Sequence, residues 1–264
     1  MAVFTIKVVD ELGNIKAQDS AEEIASLVYK GDYAPGDHIL VETSEKNIYV
    51  WLQVDDVLGR ELVYLTDNTS YRVPFEEKKD NINPIAFTGE LHYLYVRQAL
   101  DEEVYSYRNQ ARNVCDQHDI KNLYPHAFAN VETRGEATFF ACNAIDGMWE
   151  NRSHGKWPYQ SWGINRQEDA EITVDFGRLI ETDKVVIFTR ADFPHDNWWT
   201  QVTVSFSDGT SIDWKLEDKF RFAQTLQFEK KCISWIKLSN LIKADDPSPF
   251  PALSQIEVYG TVVR

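Results

Sequence analysis

Arg190 to Trp199 reads RADFPHDNWW, a set of residue types suited to holding a polar ring with apolar faces. A pyranose has C–H bonds on its face and hydroxyls around its rim. An indole packs on the face by dispersion and C–H to π contact, while Arg, Asn, His and Asp reach hydroxyls that both donate and accept. Arg190, His195, Asn197 and Trp198 supply these groups, with Trp199 beside them. A second stretch, Asp146 to Asn165, reads DGMWENRSHGKWPYQSWGIN and brings Trp149, His154, Trp157, Tyr159 and Trp162. The candidate ligand-binding residues are therefore His154, Trp157, Tyr159, Arg190, His195, Asn197 and Trp198. Rings would stack on a sugar, Arg190 and Asn197 would hold hydroxyls, and the histidines would donate or accept. A cation held by aromatic faces is the competing ligand.

Plain structural roles compete with these readings. Trp in a β-sandwich is commonly core, and Trp162 before Gly163 would plug one end of such a fold. Trp198 and Trp199 are adjacent, so on extended backbone one faces inward and the other outward. His195 beside Asp196 resembles half of a catalytic pair, but sequence neighbours often point apart. Ligand hydrogen bonding is the preferred role for it and for His154. The chain has no G-x-S-x-G elbow, phosphate-binding loop or H-E-x-x-H, and no carboxylate pair stands out as a glycosidase dyad. Cys142, in the apolar run Ala137 to Cys142, and Cys232, opening a strand, read as core. Asp245-Asp246 and the proline-rich stretch after it, through Pro251, read as a solvated turn.

The elements that must carry these loops are short strands. Val3 to Val9, His38 to Glu42, Ile48 to Leu52, Glu61 to Leu65, Tyr71 to Pro74 and His92 to Val96 alternate or run apolar between turns. Ser20 to Val28 reads as a short helix with a serine cap and early acids, and Leu100 to Arg112 as a second helix with acids in its first turn. Beyond residue 125 strands recur at Glu171 to Phe176, Lys184 to Thr189, Thr200 to Phe206, Ser211 to Leu216, Thr225 to Phe228, Cys232 to Leu238 and Ser254 to Tyr259. Asp208-Gly209 between alternating runs is a hairpin signal. These readings predict a mainly β chain: an N-terminal β-rich domain, 1–125, with one or two short helices, and a β-sandwich or barrel at 126–264.

The 264 residues, 43% apolar, suffice for one large or two ordinary domains. A formal charge of −15 argues against a nucleic-acid surface or an anionic membrane, both of which need clustered Lys and Arg. No basic region precedes an apolar stretch at the start, and no run approaches the ~18 apolar residues of a membrane span. Three widely spaced cysteines suit a reducing compartment and describe no disulfide or zinc framework. The reading is a cytoplasmic protein; nothing in the sequence speaks to its oligomeric state.

From about Phe128 the chain resembles the discoidin or coagulation-factor type C family, which overlaps galactose-binding-like carbohydrate-binding modules. The residues carrying the resemblance are Asn143 to Gly147 with a Trp soon after, Trp162, Ile172 to Gly177, the strand Val185 to Phe188, the hairpin Val202 to Gly209, and Ile256 to Gly260. It implies a jelly-roll β-sandwich with a ligand site in loops at one end. It also implies a structural Ca2+ held by Asp146 and Glu257, although Met148 to Asn151 replaces the family's usual small polar residues. The alternative there is an Asp-Gly turn and an exposed strand-end Glu; no other cofactor is called for.

The leading reading is non-catalytic carbohydrate binding, with a glycan or small sugar as partner. The alternatives are a carbohydrate-active enzyme whose site is shared by both halves, discriminated by whether His92, Arg97 or first-half acids approach the second-half loops, and a protein-interaction module anchored by exposed Trp.

Overall fold

The fold is that of a computed structural model, which describes residues 1–193, 197–218 and 221–264. Ten strands precede residue 125: β1 (Val3–Val9), β2 (Ile15–Glu22), β3 (Ile24–Lys30), β4 (His38–Thr43), β5 (Ile48–Gln53), β6 (Glu61–Leu65), β7 (Thr69–Arg72), β8 (Leu91–Gln98), β9 (Arg108–Asn109) and β10 (Leu123–Tyr124). Seven follow: β11 (His126–Ala129), β12 (Trp162–Gly163), β13 (Ile172–Thr189), β14 (Trp199–Phe206), β15 (Ser211–Lys215), β16 (Gln224–Lys243) and β17 (Ala252–Val262).

The first half is a sandwich of two antiparallel sheets, ordered β2-β1-β4-β7 and β10-β6-β5-β8-β3. Alternate residues such as Phe4, Ile6, Val50, Leu52, Leu94 and Val96 are buried between them. The helix expected over Ser20 to Val28 is absent. In its place β2 and β3 meet at a corner, where Glu23 takes φ 62. Its N–H donates to the carbonyl of Ala2, just before β1 of one sheet, and its carbonyl accepts from Gln98 of the other. Period-2 burial of Ala25, Leu27 and Tyr29 outweighs the cap signal, leaving Ile24 and Val28 exposed. The helix expected over Leu100 to Arg112 is a single turn, Asp101–Val104, after which β9 pairs with β17.

In the second half, two long strands build a jelly-roll sandwich. β13 and β16 pair along most of their length, with a register break between Asp175 and Ile180. Before the break β13 also pairs β11; after it, β17. Four strands read from sequence as separate are thus two bent ones. β14 and β15 extend the sheet through the expected hairpin at Asp208-Gly209. Trp162 and Trp199 are fully buried in this core with ring centroids 6.4 Å apart. Among the described residues, this half's helical turns are three short 3-10 turns between Thr133 and Ile145.

The core residues of the first half run from Ala2 to Leu123 and those of the second from Ala111 to Val258, so the chain between 111 and 123 serves both. The seam includes an ion pair of Arg112 with the buried Glu61 at 3.0 Å, and Arg178 over the rings of Tyr49 and Tyr64. Cys142 is buried as expected, but Cys232 is exposed: it lies on an outward position of β16.

Candidate functional site

The two Trp-bearing loops meet at one end of the second sandwich, where β13 stops at Thr189 and β17 begins at Ala252. Three hydrogen bonds fix the junction. Arg190 N–H donates to Ala252 O at 3.0 Å, Ala191 N–H to Asn151 O at 2.7 Å, and the Asn151 side chain to Thr189 O at 2.7 Å. A cleft of about 250 Å3 opens here. Phe139, Ile164, Phe250 and Pro251 supply apolar wall; Thr133, Arg134, His154, Asn165, Arg166 and Arg190 supply polar wall. All lining residues belong to the second half.

Asp192 organises the site from behind. One carboxylate oxygen lies 2.7 Å from Arg190 Nε and the other is hydrogen-bonded to His154 Nδ1. Arg190 is buried, and its guanidinium also donates to Phe250 O, tying the proline-rich segment to the loop after β13. The His154 side chain is 42% exposed, so a buried carboxylate orients an accessible ring. Opposite, Gly163 lets β12 approach Thr133: an added Cβ would lie 2.6 Å from Thr133 Oγ1, which accepts the Asn165 N–H. Of the nine non-glycine residues with positive φ among the described residues, three line this cleft: Arg134 (54°), Asn165 (48°) and Arg166 (61°). Such backbone is uncommon outside glycine and concentrates at functional sites.

The candidate residues separate. His154 and Arg190 line the cleft, but Arg190 is a buried structural arm rather than an exposed one. Asn197 is fully buried, its amide donating to Ser248 O. Trp198 is half-buried, with its carbonyl accepting from Ala244, and Trp199 faces the core, as expected of adjacent residues on extended backbone. Trp157 and Tyr159 lie outside the cleft; Trp157 N–H bonds Asp80 O of the first half at 2.7 Å. His195 lies outside the described residues. Sequence reasoning missed Arg134, Arg166, Phe139 and Phe250. Pro247 to Pro251, read as a solvated turn, instead brings Phe250 to the wall; an aromatic in a stiff loop just before the last strand was the available signal.

The pair Asp146 and Glu257 does not fit a calcium site. Asp146 accepts from Met148 N–H at 2.8 Å and from the Gln160 amide at 2.7 Å. Burial pushes its carboxyl up to about 7 despite these bonds. Glu257 accepts from the Trp149 indole at 2.8 Å and the Tyr259 hydroxyl at 3.0 Å, and is buried rather than an exposed strand-end Glu. All four carboxylate oxygens thus already accept a hydrogen bond from a protein donor. Among the described residues no group of three His, Cys, Asp or Glu side chains is gathered for a metal.

Of the first-half residues that would signal a shared site, the acid Asp80 reaches the first Trp-bearing loop, its carboxylate 2.9 Å from Lys156 Nζ and its carbonyl accepting the Trp157 N–H, but outside the cleft; His92 and Arg97 do not line the cleft either. His92 is buried beside Asp55, and Arg97 pairs with Glu103.

Solved structures similar to this chain include carbohydrate-binding modules and lectin domains. Chitosan-binding module 1 of a chitosanase/glucanase from Paenibacillus sp. IK-5 is 18% identical, with 58% of this chain and 98% of that one covered at a TM-score of 0.41. A fucose-binding module from Streptococcus pneumoniae is 15% identical over 58% and 95%, also at 0.41. A family 32 carbohydrate-binding module from C. perfringens, solved with galactose, is 20% identical over 50% and 91%, at 0.37. No protein-family model matches the chain. No curated protein matches it.

Proposed function

We propose that the chain is a non-catalytic carbohydrate-binding protein, with a discoidin-like second half that takes a sugar in the cleft between β12, the loop after β13 and the start of β17. The observation that carries the reading is the meeting of the two loops: His154, from one, is held by Asp192, from the other, beside the half-buried Phe250. Phe250, Phe139 and Ile164 offer a surface for the C–H face of a pyranose. His154, Asn165 and Thr133 offer donors and acceptors for hydroxyls. A cleft of about 250 Å3 suits one sugar residue or two rather than an enclosed chain.

Calorimetry against a panel of mono- and oligosaccharides tests the reading. The intact chain should bind at least one member, and Phe250→Ala should abolish the heat of binding while the melting temperature holds. A panel that gives no heat at millimolar sugar overturns it.

A further inference from the structure

The cleft is lined by cations in a strongly acidic protein. Arg134, Arg166 and Arg190 line it together with His154, and among the described residues no Asp or Glu does. The whole chain has 42 acidic and 27 basic residues, so a lining of this sign runs against the composition. The three guanidiniums are not equivalent. Asp192 neutralises Arg190 from behind. Arg134 pairs with Glu136 by bonds of 2.6 and 2.7 Å, but the two side chains are 62% and 47% exposed. A surface pair of that kind contributes little and exchanges partners readily. Arg166 lies over the Phe250 ring, 4.5 Å from its centroid, and among the described residues has no carboxylate partner. Stacking on a ring leaves the charge of a guanidinium unneutralised and its N–H edge available. Asn165 and Arg166 both take left-handed backbone and both line the cleft wall, with Arg166 exposed.

We infer that the ligand of this cleft is an acidic saccharide, a sugar ring bearing a carboxylate, with Arg166 as its principal carboxylate contact and Arg134 as a second. A planar fork of N–H donors matches a carboxylate in two parallel hydrogen bonds, which neither His154 nor Asn165 can supply. The apolar wall of Phe250, Pro251 and Ile164 explains why the anion should be part of a ring and not free in solution. The inference rests on the carbohydrate reading of the same cleft.

The test is titration calorimetry of the full chain with matched ligands. Methyl galacturonide is set against methyl galactoside, N-acetylneuraminic acid is the second acid, and sodium acetate is the bare carboxylate. Either acid sugar should bind about tenfold or more tightly than the neutral glycoside, and the ratio should shrink as salt is raised. Whichever acid binds more tightly identifies the source of the carboxylate. Arg166→Gln, at an exposed position, should keep the parent melting temperature and bring the ratio of acid to neutral affinity close to one. Equal affinities for acid and neutral sugars overturn the inference and leave the sugar site standing. Acetate binding as tightly as the acid sugars, with the neutral sugar silent, overturns the sugar site itself, and silence from every ligand overturns both. A preference for acid sugars that survives Arg166→Gln overturns the role given to that residue.

Discussion

The Nε of Arg190 lies 2.7 Å from Oδ1 of Asp192, and each side chain is 5% exposed. The second oxygen of Asp192 holds His154, so one buried carboxylate balances a buried cation and orients an accessible imidazole. Removing one member of such a pair leaves an uncompensated charge in the interior. Asp192→Ala should therefore cost about 3–5 kcal/mol of stability by urea denaturation. Arg190→Ala should also destabilise, which makes it unsuitable as a pure binding variant. His154→Ala, at a partly exposed ring, should cost less than about 1 kcal/mol. An Asp192→Ala protein as stable as its parent would show that the pair is not buried in solution.

His126 offers a pH test. Its Nδ1 is 2.7 Å from Asp116 Oδ1, and the other Asp116 oxygen accepts the Ala127 N–H. Burial pushes the His126 pKa down, but the hydrogen bond and charge of Asp116, helped by Asp175 and Asp119, raise it above the ordinary 6.5. The native state then binds more protons than the unfolded chain. The contribution of this histidine is complete below the unfolded value and is lost as pH rises through the folded one. Observed by NMR, the His126 ring should titrate with a midpoint above 6.5. In His126→Gln the stability lost with rising pH over that window should diminish. A midpoint at or below the ordinary value contradicts the pairing.

Gly260 sits in β17 opposite Thr182 of β13 and Arg108 of β9. An added Cβ would come within 2.1 Å of the Glu181 carbonyl oxygen, so here the glycine serves close approach rather than a turn. Gly260→Ala should destabilise by about 1–3 kcal/mol or more, because strands on both sides must shift. Thermal denaturation with no loss of melting temperature would refute this.

The three thiols should separate chemically. Cys115 and Cys142 are buried, and burial pushes both thiols up, away from reactive thiolate; Cys232 is exposed. Under native conditions Ellman's reagent should titrate one thiol per chain quickly, and the remaining two only on unfolding. Rapid reaction of more than one in the native protein would place another cysteine at the surface.

Calcium should have little effect. A bound ion at about a hundredfold its Kd adds roughly 2.7 kcal/mol, several degrees of melting temperature for a domain of this size. With Asp146 and Glu257 engaged by protein donors, melting curves in millimolar calcium and in chelator should coincide. A clear upward shift with calcium would mean that these side chains rearrange.

What the sequence alone determined is local. Alternation along Val3–Val9 and Thr200 to Phe206 marks strands because residues two apart share a face, and Asp208-Gly209 marks a hairpin through its own turn chemistry. The same reasoning placed one of Trp198 and Trp199 inward. It failed where local signals conflicted, as at Ser20 to Val28, where a serine cap and early acids suggested a helix and the sheet corner at Glu23 prevailed. It also failed at Cys232, since a strand position does not say which face is covered. Tertiary structure decided the cleft. Arg134, Asn165, Arg166, Arg190 and Phe250 are separated by up to 116 positions and come together only where β12, β13 and β17 end side by side. Asp192 and Glu136 each stand two positions along the chain from the arginine they pair with, yet only the fold decides that the first pair is buried behind the cleft and the second lies at the surface, because burial depends on what packs over the side chains.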